Sequence, residues 1–90
     1  MTAVSQEVRI DNQRGLHARA SAKFVNLASQ IDAKIEVEKD GHRGCGTSIM
    51  GLMMLGAAKG DSILILVQGD RADEALKKLV LLVEDRFGEE

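Results

Sequence analysis

Tryptophan, tyrosine and proline are missing from this chain, and it contains only two phenylalanines. Nucleic-acid binders usually present a basic face or stacking rings. With a formal net charge of −2 and 2% aromatics, neither is available here in bulk, so a nucleic-acid partner is not expected. The single cysteine, Cys45, cannot close an internal disulfide, which fits a reducing compartment. No apolar run approaches the ~18–20 residues needed to span a bilayer. The opening "MTAVSQEVRI" also lacks the apolar centre of a signal peptide. A cytoplasmic protein with no membrane partner is the expectation.

Ninety residues suggest one domain, residues 1–90. A chain of this size buries roughly 60–70% of its unfolded surface, enough for one sheet-and-helix core. It has little room for a deep ligand cavity of about 300–1,000 Å³. Any chemistry should sit on the surface and borrow the rest of its active site from a partner.

"AVSQEVRID" alternates, with Val4, Gln6, Val8 and Ile10 on one side and Ser5, Glu7 and Arg9 on the other. Period two predicts a strand with one wet face. From about His17 to Gln30, Ala20, Phe24, Leu27, Ala28 and Ile31 recur at helical spacing. "AKIEVEK" returns to alternation, and Asp40-Gly41 is a hairpin signal leading to a weakly patterned strand, "HRGCG". Thr47 or Ser48 should cap a short helix with Ile49, Leu52, Met53 and Gly56 along one side. Five apolar residues in a row, Ile63–Val67, favour a central strand. Asp70 then opens a last helix with Ala72, Leu76, Leu79, Val80, Val83 and Phe87 inward. "EDRFGEE" reads as a fraying end. The order β-α-β-β-α-β-α predicts an α+β fold, a four-stranded, mainly antiparallel sheet with helices on one face.

The stretch "RGLHARASAKFV", Arg14–Val25, puts a titratable imidazole where a helix begins. The first four N–H groups of a helix lack intrahelical partners, and the helix dipole adds about half a positive charge there. An anion attached to the His17 ring could be held by amides around Ala18 and Arg19, with the Arg19 guanidinium as a forked donor. Those surroundings favour neutral imidazole, the nucleophilic form. Small neighbours, Ala18, Ala20 and Ser21, should keep the site open to a large partner. The competing reading is a surface histidine that merely starts a helix.

"GLHARASAKFV" together with "TSIMGLMMLGAAKGD" resembles the histidine-containing phosphocarrier (HPr) family of the bacterial phosphotransferase system. The similarity extends back to Asn12, and the element order agrees over nearly the whole chain. The resemblance implies an open-faced β-sandwich. It further implies that His17 accepts a phosphoryl group on Nδ1 from phosphorylated enzyme I. His17 would then pass it to a histidine of an enzyme IIA-type acceptor, with Arg19 at the active centre. Such a protein is a carrier rather than an enzyme with its own turnover; a monomer with no cofactor is expected. Sugar uptake and the nitrogen-related branch use similar carriers, and a regulatory module of the same fold, read out by its phosphorylation state, is the rival reading. One position departs from the family pattern: proline usually follows the arginine, whereas here the residue is Ala20. Proline in a first turn fixes the backbone at no hydrogen-bond cost, so loop stiffness and exchange rate are the properties at stake.

Ser48 has a capping role available, and the resemblance also places it where some HPr proteins are modified by an ATP-dependent HPr kinase. A phosphate would add roughly −1.5 to −2 charges at that helix start. Flexible methionines suit a surface that fits several partners in turn, so Ala18, Ala22, Ile49, Met50 and Met53 are the expected contact positions. Leu52 and Leu55 should face the sheet, and Met54 is open either way. His42, after the hairpin turn, reads as an exposed turn residue; two histidines make no metal site. Cys45 reads as a small buried hydrophobe with nothing nearby to make it reactive.

Overall fold

The computed structural model describes residues 3–89. Four strands, β1 (Ala3–Arg9), β2 (Lys34–Lys39), β3 (His42–Cys45) and β4 (Ser62–Gln68), form one sheet in the order β1-β4-β2-β3. Every pairing is antiparallel. The predicted hairpin is present: Asp40 and Gly41 take φ of 51° and 82° between Lys39 and its partner His42. Positive φ at both central residues matches the twist of the flanking strands.

The apolar run is the central strand, flanked by β1 and β2. Its Ile63, Ile65 and Val67 are buried with Val8, Ile35 and Val37 on the helix-covered side. Leu64 and Leu66 point to the other face, opposite Glu7 and Ser5 on one side and Glu38 and Glu36 on the other. They stay half-buried there, where long charged side chains can shade an apolar neighbour. The sheet is therefore open on that face, and the α+β open-faced sandwich stands.

Helix α1 (Ala18–Ser29) buries Ala20, Ser21, Phe24 and Ala28. Helix α2 (Ile49–Met53) lies against α1 and β3, while α3 (Ala72–Glu84) covers β1 and β4. The seat of α2 depends on two glycines. A Cβ on Gly44 would come within 2.5 Å of the Gly51 carbonyl oxygen, so only bare backbone lets helix and strand approach this closely. Of the predicted apolar side of α2, only Leu52 is buried; Ile49 and Met53 are exposed, and Gly56 lies beyond the helix. A five-residue helix makes too little more than one turn for a full stripe to face inward.

Asp70 does not open α3. The cap position is Arg71, at φ 58° and with no side-chain cap, and Asp73 and Glu74 supply first-turn negative charge that complements the dipole. Nor does α3 run on to Phe87. It stops at Glu84, and a 3₁₀ turn, Arg86–Gly88, carries Phe87 into the core at 1% exposure. The expected fraying end includes Glu90, which lies outside the described residues; up to Glu89 it is packed, Lys23 Nζ donating to the Phe87 carbonyl at 2.7 Å.

Candidate functional site

The site begins with a turn that leaves no choice about its glycine. Asn12 is fully buried, its amide donating to the Gly15 carbonyl at 2.8 Å, and the Gly15 amide reaches back to Asn12 O at 3.2 Å. Gly15 sits at φ 63°, and a Cβ there would lie 2.3 Å from Ala57 O. The Leu16 amide donates to that same oxygen at 2.9 Å. The Asn12–Leu16 loop is thus clamped to the segment before β4, and the next residue is His17.

His17 is the N-cap of α1. Its backbone is extended and its carbonyl accepts from Ser21 N, while its Nδ1 accepts from the Arg19 amide at 3.3 Å. Imidazole here does the work usually done by Ser, Asp or Asn. The amides of Ala18 and Ala20 have no protein acceptor among the described residues. The electrostatic setting expected for an anion beside Nδ1 is therefore present: free donors, the dipole's positive end and an exposed Arg19.

The other ring nitrogen meets a residue of the polar segment that follows α3. Nε2 lies 3.0 and 3.2 Å from the two Glu89 carboxylate oxygens, and Asn12 Nδ2 donates to Glu89 at 3.2 Å. These contacts hold the Glu89 carboxyl below its ordinary pKa, the hydrogen bond from His17 being the main cause, with help from Asn12 and the charge of Lys23. Glu89, Lys23 and the buried Asn12 extend the site beyond the predicted residues. A separation of 72 residues leaves no local pattern by which Glu89 could have been found.

His17, Arg14, Arg19, Lys23 and Glu89 border a shallow hollow of about 430 Å³, together with Gln13 and Gly88. Three fixed cations against one carboxylate favour an anion in it. The His17 side chain keeps 17% of its surface, so the ring is partly covered yet reachable from that hollow. Ala18 is exposed next to His17 in the chain, whereas Ala20 and Ser21 are fully buried. Of the three small residues only Ala18 is exposed; the other two let α1 pack.

Ser48 caps α2 by accepting from Gly51 N at 3.0 Å and stays half-buried, which resolves the choice between Thr47 and Ser48. Beyond it, Ile49, Met50 and Met53 are exposed, and Met54 is more exposed still at 79%. Ala22 is half-buried on α1, Leu52 is buried, and Leu55 packs against the core as expected. With α2 packed on α1, the apolar patch lies on the helix adjoining the one that His17 caps.

Cys45 is not the small buried hydrophobe that its sequence context predicts. It is exposed, because the inward position of the short edge strand is taken by Gly44, and its Sγ lies 3.2 Å from Thr47 Oγ1. Hydrogen bonds from Thr47 hold the thiol below its usual pKa. His42 is exposed at the hairpin, as expected. Among the described residues no group of three or more His, Cys, Asp or Glu could hold a metal ion, and no helix is long and apolar enough to cross a membrane.

Residues 4–85 match the family model described as the PTS HPr component phosphorylation site. The chain belongs to the HPr family of phosphocarriers of the phosphotransferase system. It is 46% identical over 86 residues to a phosphocarrier protein HPr of Neisseria meningitidis serogroup A, covering 96% of this chain and 97% of that one. It is 39% identical to a phosphocarrier protein NPr of Shewanella violacea, over 99% and 98% of the two chains. The crystal structure of HPr-C-His from Thermoanaerobacter tengcongensis superposes with a TM-score of 0.89 at 44% identity, covering 100% and 99%. As an HPr-family chain, it has its clamped loop, capping histidine and methionine-bearing helix in a fold that serves phosphoryl carriage.

Proposed function

We propose that His17 carries the phosphoryl group on Nδ1, receiving it from phosphorylated enzyme I and giving it to a histidine of an enzyme IIA-type acceptor. One observation carries the proposal: Nδ1 is turned toward the α1 amides while Nε2 is turned toward a carboxylate. The two nitrogens are chemically distinguished, and only Nδ1 faces donors that could hold three phosphoryl oxygens.

The weak 3.3 Å bond from Arg19 N is near the long limit of useful geometry, so surrendering the lone pair to phosphorus costs little. The amides of Ala18 and Arg19 then meet the incoming charge, and Arg19 adds its guanidinium. Donors already fixed in place need no reorganisation during transfer. The face that carries Ala18, the half-buried Ala22, Ile49, Met50 and Met53 docks each partner in turn, and the exchange needs a modest, short-lived contact. The carrier acts in the cytoplasm as a monomer.

Ser48 is the second modification site in this reading. The residue is half-buried and its hydroxyl oxygen accepts from the Gly51 amide, so modification would place the phosphate directly at the first turn of α2. A dianion there would sit beside Ile49 and Met50 and weaken docking to a partner with acidic groups.

Mixing the protein with phosphoenolpyruvate and enzyme I, followed by intact mass, tests the core of this. One acid-labile phosphate is expected on the wild type, none on His17→Ala, and its removal by an enzyme IIA. Absence of label overturns the carrier role. Label that no acceptor removes makes the protein a signalling module instead.

A further inference from the structure

We infer that Glu89 is a positioning residue for the transfer: it holds the ring proton on Nε2 throughout, so that the phosphoryl group enters and leaves Nδ1 without a proton moving at His17. The inference rests on the carrier reading and assigns a role to a residue at the far end of the chain.

Hydrogen-bond partners determine the tautomer. Nδ1 accepts from the Arg19 amide, so that nitrogen holds a lone pair. Nε2 faces two carboxylate oxygens at 3.0 and 3.2 Å, which can only accept, so that nitrogen holds the hydrogen. A partner on one ring nitrogen selects the role of the other. Glu89 is itself fixed. Asn12 Nδ2 donates to it, Phe87 is buried two residues earlier, and Lys23 grips the Phe87 carbonyl.

The step balances without an external base. In acceptance, the Nδ1 lone pair forms the N–P bond while the donor's N–P pair returns to the donor ring. The Nε2 hydrogen stays where it was, leaving a cationic ring beside an anionic phosphoryl group. In release, the Nδ1–P pair goes back to Nδ1 and the leaving group is neutral imidazole. Without a hydrogen on Nε2 the leaving group would be imidazolate, far worse. The Glu89 carboxylate bonds that hydrogen in both states and offsets the ring's positive charge in the phosphorylated one. It also screens Nε2 as a competing nucleophile.

The test uses ¹⁵N-labelled full-length protein, with His42, exposed at the hairpin, as internal reference. Above neutral pH the His17 ring nitrogens of the wild type should report the Nε2–H form. Glu89→Ala should shift His17 toward a mixture, leave His42 unchanged and slow acceptance from phosphorylated enzyme I roughly tenfold, the scale of one hydrogen bond to a charged group. Glu89→Gln, whose amide oxygen still accepts, should keep the tautomer and recover part of the rate. Lys23→Ala, which frees the tail without touching the ring, should move the tautomer in the same direction. Unchanged ring shifts in Glu89→Ala overturn the inference whatever the rate does, and so does a changed tautomer with an unchanged rate. Failure of the wild type to accept any phosphate overturns the carrier reading instead, and the tautomer measurement does not depend on it.

Discussion

Gly15→Ala should be the most damaging single methyl group near the site. Gly15 adopts φ 63°, a region that costs an L-residue about 1–2 kcal/mol. The new Cβ would also fall 2.3 Å from Ala57 O, a backbone atom that cannot rotate away. The loops must therefore separate, and the Leu16 N to Ala57 O bond at 2.9 Å is lost, at about 1 kcal/mol. The combined cost is about 2–3 kcal/mol, which in a domain of this size lowers Tm by roughly 10–20 °C.

A domain with about 5–15 kcal/mol of stability still folds at 25 °C after that loss, so the kinetic consequence can be read separately. Leu16 and His17 are contiguous, and a loop that swings off Ala57 takes the ring with it. Misplacing a reacting group by about 1 Å costs on the order of 100-fold. Thermal unfolding followed by circular dichroism measures the first effect, and single-turnover labelling by phosphorylated enzyme I at 25 °C measures the second. A variant with Tm within about 3 °C of wild type, against the ~10–20 °C expected, would refute the claim that this clamp positions the histidine. Normal labelling in a destabilised variant would refute the coupling of clamp to chemistry.

Gly44→Ala should unseat α2, because its methyl meets Gly51 O at 2.5 Å; the expected loss is about 1–3 kcal/mol in urea unfolding, with weaker partner binding. Phe87→Ala should cost about 3–5 kcal/mol, whereas a frayed terminus would cost nothing measurable. Ser48→Ala removes the cap of α2 and should cost about 0.5–2 kcal/mol without preventing His17 labelling. Acid stability should report on Glu89. Its carboxyl has a folded pKa below the ordinary 4.5, so its contribution is fully present above that value and is lost as pH falls through the depressed one. Glu89→Gln should accordingly flatten the fall of stability below about pH 4.5, measured by urea midpoints across pH 3–6.

The parts of this molecule that could be read from sequence are those that depend on near neighbours along the chain. Alternation in β1 and β2, the Asp40-Gly41 turn and the apolar run of β4 each declare a conformation within a few residues, and each is present. The histidine at the head of α1 is visible for the same reason. Misread features depend on contacts across the fold or on the edge of the sheet. Cys45 looks apolar, but its strand is an edge strand whose inward position belongs to Gly44. Asp70 looks like a cap, but the chain turns through Arg71 in a left-handed conformation before α3 starts. Polarity made the last residues look loose, while Phe87 fills the core and pulls Glu89 onto His17. Charge and glycine content describe how a segment behaves alone, and this one is not alone.

Ala20 shows how these layers bear on each other. The proline that the family pattern places here would stiffen the first turn of α1 and remove an amide. With alanine, stiffness has to come from elsewhere, and the structure supplies it on both sides of His17. Upstream, Gly15 and Leu16 are held against Ala57; downstream, the fully buried Ala20 and Ser21 anchor the turn, with Ser21 Oγ donating to Leu16 O at 3.3 Å. Alanine also returns an N–H without a protein acceptor to a helix end that faces Nδ1. Ala20→Pro should then leave His17 acceptance within about threefold of wild type, since the turn is already fixed and Ala18 and Arg19 supply donors enough. A gain of tenfold or more under single-turnover conditions would mean that mobility of the first turn limits transfer in this chain, and that the clamp at Ala57 does not suffice.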